Sequence, residues 1–227
     1  MRTRFVLLAA GIAMTSRDAL GQTKRFALTS AQELQLHNAV VEPATLAGRK
    51  GLRVTPVPGT ADGDCLVVVD GVDFSNGVIA AEIAGAPGAE AGQGARGFVG
   101  IAFRVQPDLK TYDAFYLRPT NGRAEDQERR NHATQYISHP TWTWSKLRTE
   151  TPSRYESYAD LQPGVWTKVR IEVNGDHARL YVNDQQQPVL IVNDVKSGPS
   201  TKGSVALWIG PGTVAHFRNL TVRPVSP

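Results

Sequence analysis

From Gly51 to Val222 the chain is cut into short runs of alternating apolar residues, and the cuts are made by Gly, Asp, Asn and Pro. This limits the fold more than any other feature. A period of two places successive side chains on opposite faces of a strand, and closely spaced turn residues bring each strand back beside an earlier one. The runs are 52–57, 65–69, 78–84, 98–105, 112–118, 134–138, 155–160, 166–174, 177–182, 189–193, 204–209 and 215–222. Asn174-Gly175 and Asn183-Asp184 have hairpin-turn chemistry, and no long helical period intervenes. The pattern predicts an all-β, two-sheet antiparallel sandwich. With 41% hydrophobic residues in 227, the chain can fill the space between two sheets.

Alternation also assigns faces. Val99, Ile101, Phe103 and Val105 share one face of their run, and Gly100, Ala102 and Arg104 the other. In the next run Asp113, Phe115 and Leu117 oppose Tyr112, Ala114, Tyr116 and Arg118. In 165–173 the odd positions from Val165 to Val173 are expected inward, with Trp166, Lys168, Arg170 and Glu172 outward. One sheet is therefore expected to carry small residues (Gly100, Ala102, Ala114) beside Arg104, Tyr116 and Arg118, either as the floor of a groove or as an ordinary solvated face.

Residues 1–21 stand apart. A basic start, Met1 to Arg4, precedes the apolar run Phe5–Met14, and Ala19, Leu20 and Gly21 supply small residues at a cleavage point. This is the layout of a secretory signal peptide, too short for a spanning helix. The expectation is a secreted or periplasmic protein with no membrane partner once the signal is cleaved. Its removal takes three of the 25 basic and one of the 21 acidic residues, so the net charge falls from +4 to +2. Such a balance makes no case for nucleic acid. Residues 22–46 read as a lead-in, an extended tail or strand with one short helix near Leu34 after the capping-box pattern Ser30 to Glu33. Residues 47–227 read as the sandwich domain. The lone Cys65 excludes an intramolecular disulfide and reads as a small buried apolar residue.

The densest polar stretch is Tyr112–Trp144, where Arg118, Asn121, Arg123, Glu125, Asp126, Glu128, Arg129, Arg130, Asn131 and His132 interrupt the strand pattern. A long ordered insertion between strands is where function concentrates. Arg118, Asn121, Arg123, Arg130, Asn131, His132 and Gln135 form a donor set for polar ligands. Tyr116, Tyr136, Trp142 and Trp144 are candidate stacking surfaces, the two tryptophans sharing a face if their segment is extended. The alternative for the tryptophans is to cap the open end of the core, and for the charges to pair among themselves. His139-Pro140 reads as a turn. No cofactor and no metal site is expected; Asp62, Asp64, Asp70 and Asp73 lie in oxygen-rich turns that leave a structural calcium as the one minor exception.

Four stretches, RGFVGIAFRV, YDAFYLRP, PGVWTKVRIEVNGDHARLYVND and GSVALWIGPGTVAHFRNLTV, resemble the secreted bacterial domains of the concanavalin A-like lectin/glucanase superfamily, and most closely the 3-keto-disaccharide hydrolase-like group. The resemblance covers roughly Val54 to Pro224 and rests on scaffold strands. It implies a jelly roll whose concave face binds or processes carbohydrate. The Glu-x-Asp-x-x-Glu signature of the superfamily's glucanases is absent. A glycoside-cleaving site needs an acid and a base or nucleophile. Glu125, Glu128 and Asp126, the last beside Arg123, Arg129 and Arg130, are the local carboxylates for it, and Glu82 is a second carboxyl that could face the same groove. On a 3-keto sugar His132 would serve as base for elimination. The expectation is thus a carbohydrate-active domain, a hydrolase or lyase of 3-keto-glycosides, with a non-catalytic sugar-binding module or a structural cell-surface sandwich as alternatives.

Overall fold

The computed structural model describes residues 21–59 and 63–225. The signal-peptide expectation for residues 1–20 lies outside the described residues, as does Asp62. In chain order the strands are β1 (Lys24–Phe26), β2 (Leu34–His37), β3 (Ala39–Leu46), β4 (Arg49–Pro56), β5 (Cys65–Val69), β6 (Asn76–Pro87), β7 (Val99–Val105) and β8 (Tyr112–Leu117). A short 3-10 turn (Pro119–Asn121) and helix α1 (Gln127–Asn131) follow, then β9 (Thr134–His139) and helix α2 (Trp144–Glu150). The chain closes with β10 (Glu156–Ser157), β11 (Thr167–Asn174), β12 (His177–Val182), β13 (Leu190–Val192), β14 (Ser204–Ile209) and β15 (Thr213–Val225).

The strands form two antiparallel sheets packed face to face as a jelly-roll sandwich. One runs β13-β12-β11-β6-β15-β4-β3, with β1 added beside β15; the other runs β10-β9-β8-β7-β14-β5-β2. Between them lie Phe74, Ile79, Ile83, Ile101, Phe103, Phe115, Leu207 and Phe217, all nearly inaccessible. Burying such side chains is the main term holding the sheets together, roughly 1.5–3 kcal/mol each. Among the described residues no helix is long and apolar enough to cross a membrane.

Several expectations change. Residues 22–46 contribute strands to both sheets: β1 pairs with β15, β2 with β5 and β3 with β4. The capping-box helix does not form; Glu33 has φ 60° and Leu34 opens β2. The polar pattern at Ser30 to Glu33 had no sustained apolar period behind it, and pairing with β5 prevailed. Val165 is 48% exposed, because β11 begins only at Thr167. The polar loop holds a short helix, and Trp144 opens a second one, Trp144–Glu150, so the condition for Trp142 and Trp144 to share a face is not met.

Candidate functional site

The row Trp208, Gly100, Tyr116, Gln135 runs across four strands of the seven-stranded sheet. These positions alternate with Leu207, Ile101, Phe115 and Tyr136, which face the core. Trp208 and Tyr116 flank the glycine, and their rings meet over it at 4.6 Å between centroids and 24° between planes. A Cβ on Gly100 would lie 2.6 Å from the Tyr116 Cα, so this lane accepts no side chain there. Ala102 and Ala114 continue the lane of small residues in the next row. The floor of a cleft of about 650 Å³ is thus made by Tyr116, Trp208, Ile137 and His139.

Pro119 ends β8 and sets the turn that carries the chain onto the cleft wall, as a proline at the first position of a helical turn does. Arg118, the last residue before it, is 4% exposed. Its guanidinium donates to Glu156 Oε1 (2.9 Å), Tyr116 Oη (2.9 Å), Gln135 Oε1 (2.9 Å) and the His132 carbonyl (3.1 Å). Asp126 caps α1 by accepting from the Arg129 N–H at 2.9 Å, and Thr143 caps α2 through the Lys146 N–H. On α2, Leu147 packs into the core while Trp144 and Arg148, one turn apart, line the cleft with the guanidinium 5.0 Å over the indole. Arg148 also grips Glu156, its Nε donating to Oε2 at 2.9 Å and its Nη2 to Oε1.

Glu156 is therefore a buried carboxylate between two arginines, with His132 Nε2 3.6 Å from Oε2. Burial alone would raise its pKa; the Arg148 hydrogen bond and the charges of Arg118 and Arg148 bring it below the ordinary value. For His132, burial outweighs the Glu156 charge and, with Arg148 and Arg118, lowers its pKa, so the imidazole is neutral at pH 7. Across the cleft His139 stacks on Tyr112 at 5.1 Å. Its Nδ1 lies 3.2 Å from Asp64 Oδ2 and 3.2 Å from Tyr112 Oη, which also donates to Asp64. Burial, opposed by Asp64, lowers the His139 pKa as well. Trp208 Nε1 donates to Tyr112 Oη at 3.3 Å and completes that network.

The structure brings Tyr116, Arg118, Asn121, Asp126, His132 and Trp144 to this cleft. Gln135, fully buried, acts behind it by orienting Arg118. The remaining candidates lie elsewhere. Glu82 is on the outer face of the other sheet, bonded to Arg49 and Asn219, because β6 belongs to the eight-stranded sheet. Arg104 is fully buried where β7 bulges against β14; its φ of 54° turns it off the floor. Tyr136 faces the core and donates to Asp113 Oδ1 at 2.6 Å. Arg123 pairs with Asp160, Arg130 lies on Tyr158, Asn131 bonds Gln127, and Glu125 is exposed outside the cleft. The tryptophans do not share a face: Trp142 packs on the core edge under Lys146 and Lys196, and only Trp144, 47% exposed, lines the cleft.

Asp64, Arg96, His139, Arg148, Glu156 and Trp208 were missed. Trp208 alone was signalled, since Val205, Leu207 and Ile209 point inward and leave it outward. Among the described residues no group of three or more His, Cys, Asp or Glu is placed to hold a metal ion. Asp70 takes Gln35 and Asp73 takes Lys202.

A family model described as the 3-keto-alpha-glucoside-1,2-lyase-like domain matches residues 48–223. No curated protein matches the sequence. Among solved structures, the carbohydrate-binding module CBM66 from Bacillus subtilis is similar at 14% identity and TM-score 0.55, over 82% of this chain and 96% of that one. A Bacillus subtilis protein of unknown function with a galectin-like fold gives 14% and 0.56, over 91% and 97%. Crh5 transglycosylase in complex with NAG shows 13% and 0.51, over 91% and 86%. At these identities the likeness is one of fold.

Proposed function

The chain belongs to the family of 3-keto-alpha-glucoside-1,2-lyase-like domains, a carbohydrate-related family, and from that premise we propose that the cleft over Tyr116 and Trp208 is its sugar site and cleaves a 3-keto-glycoside by elimination. The observation that carries this reading is a neutral histidine, His132, set among the cationic side chains of Arg118 and Arg148 in one cleft. A ketone at C3 acidifies the C2 hydrogen. His132 takes that proton, and the C–H electron pair moves into an enolate whose oxygen is stabilised by the arginine field. Among the described residues Arg148 Nη1 has no protein acceptor and is one donor open to it. The enolate returns to a ketone as the C1–O bond breaks, leaving a C1–C2 double bond, and the imidazolium returns its proton to the departing oxygen. Bonds and protons balance without an oxidant or a reductant.

A hydrolase with two opposed carboxylates is less well supported. Asp126 and Glu128 sit together on one wall, and Asp64 is held by Tyr112 and His139. The binding-module reading has its own observation, an aromatic floor beside the half-exposed Trp144, and the fold of CBM66 is compatible with it. We place the protein outside the cytoplasm after removal of residues 1–21.

The test is a thermal-shift and cleavage screen of residues 22–227 on disaccharides and their 3-keto forms, with His132→Ala and His139→Ala in parallel. The expected result is turnover of the 3-keto substrate alone, reduced at least about 100-fold in His132→Ala. Loss in His139→Ala with His132→Ala active would move the base to the Asp64-linked histidine. Stabilisation by ligand without turnover would make the domain a binding module. Neither shift nor turnover would remove the sugar reading of this cleft.

A further inference from the structure

Four arginines line the cleft, and they are not equivalent. Arg118 and Arg148 share the buried Glu156. Arg96 and Arg129 meet only neutral acceptors. Arg96, on the segment between β6 and β7, donates from Nη1 to the carbonyls of Gln93 (2.6 Å) and Ala95 (2.9 Å). Arg129, on α1, donates from Nε to Asn121 Oδ1 (2.9 Å) and from Nη2 to Thr120 O (3.3 Å) and Oγ1 (3.1 Å). Thr120 links the two, since its N–H donates to the Arg96 carbonyl at 3.3 Å.

Among the described residues neither guanidinium forms an ion pair with a carboxylate. The acids on the same wall do not supply one: Asp126 Oδ1 is taken by the Arg129 main chain, and Glu128 is exposed in the first turn of α1. Burial and the nearby charges of Arg129 and Arg118 all depress the Arg96 pKa. Two uncompensated guanidinium groups on one wall of a half-enclosed cleft repel each other, and an oxyanion placed between them relieves that cost. Among the described residues Arg96 Nε and Nη2 and Arg129 Nη1 carry no protein acceptor, which leaves unused planar donors on two residues that line the cleft.

We infer that Arg96 and Arg129 form a subsite for an oxyanion substituent on the sugar, a carboxylate or a sulfate ester, so that the glycan taken by this cleft is acidic. The inference rests on the cleft being the sugar site, and it adds the ligand's charge to that reading. Steering by the same field raises the association rate for such a glycan and makes it salt-dependent.

Calorimetric titration tests it, with methyl α-glucoside, methyl α-glucuronide and glucose 6-sulfate as probes. The proteins are residues 22–227, Arg96→Gln and Arg129→Gln, each checked for folding by its thermal midpoint. The two charged sugars, or one of them, are expected to bind at least about tenfold more tightly than the neutral one, a preference lost in either variant. Glucuronide preferred over sulfate identifies a carboxylate subsite, and the reverse a sulfate subsite. Should Arg129→Gln unfold, Arg96→Gln alone decides. Equal affinity for neutral and charged sugars overturns the inference and leaves the proposed function standing. A charged preference that survives Arg96→Gln overturns it too, because the anion then binds elsewhere. No binding of any of the three removes the sugar site and the inference together.

Discussion

His132 and His139 set what the cleft can do at a given pH. Burial is the first cause of both lowered pKa values, opposed by Glu156 at His132 and by Asp64 at His139. An unfolded histidine titrates near 6.5. Between that value and the folded pKa the unfolded chain binds more protons than the folded one, so stability rises with pH in that window. The expected outcome is a thermal midpoint that is flat above about pH 7 and falls as pH drops below about 6.5. The fall should be shallower in a His132→Asn/His139→Asn double variant. His216, also lowered by burial, keeps some slope. The same sign applies to chemistry: the acid limb of kcat/KM should lie below about pH 6.5. A limb above that value would exclude His132 as the base. At this scale the sequence was partly readable. His132 and Arg118 could be picked out because polar residues clustered around them. Arg148 and Glu156 could not, because what joins them is a contact across three elements rather than a spacing. Arg104 misled because strict alternation puts it on the floor, and a bulge overrides alternation.

Two elements carry the cleft, the β7-β8 lane and helix α1. The lane depends on Gly100 for its close approach to β8, where a Cβ would fall 2.6 Å from the Tyr116 Cα. Gly100→Ala should therefore part Trp208 from Tyr116 and cost about 1–3 kcal/mol, read as a lower urea midpoint with weaker ligand binding. An unchanged midpoint would mean that the ring stack tolerates separation. Helix α1 distinguishes a capping Asp126 from a catalytic one. Asn caps as well as Asp, so Asp126→Asn should keep both stability and turnover, whereas Asp126→Ala should lose about 0.5–2 kcal/mol. Turnover abolished by Asp126→Asn at unchanged stability would restore the carboxylate to the chemistry. Strands from Gly51 onward were legible because period-two patterning and turn residues are local signals. Helix α2 was not, since Trp144 to Glu150 offers a single buried residue, Leu147, and no apolar period. Strands β1 to β3 were hidden for a different reason: they are edge or near-edge strands with exposed side chains, and the partners of β1 and β2 are distant in sequence.

For the whole molecule the question is what ties the two sheets at the end away from the cleft. Arg104, near the end of β7 opposite Val99, donates to Ser75 O (3.1 and 3.0 Å), Gly175 O (2.7 Å), Gly198 O (2.8 Å) and Ser197 Oγ (3.0 Å). These acceptors flank β6, follow β11 and precede β14, so one guanidinium joins segments from both sheets. Beside it Asp113, buried in the core, accepts from Tyr136, whose own oxygen accepts from the Lys196 N–H at 2.8 Å. Burial raises the Asp113 pKa, and the Arg104 charge is among the groups that oppose this. Removing the guanidinium would leave three half-buried carbonyls without this donor and take a nearby positive charge from the buried Asp113. Arg104→Met should thus cost about 3–5 kcal/mol, at roughly 1–3 kcal/mol for each polar group left unpaired, measured by urea unfolding, although methionine fills most of the same volume. Ligand affinity at the cleft should stay within about twofold, because Trp208, Tyr116 and the arginine walls lie toward the other end of the same strands. A substitution that left stability unchanged would mean that the apolar contacts between the sheets suffice. One that weakened ligand binding without unfolding would mean that the two ends of the sandwich are coupled through β7 and β8.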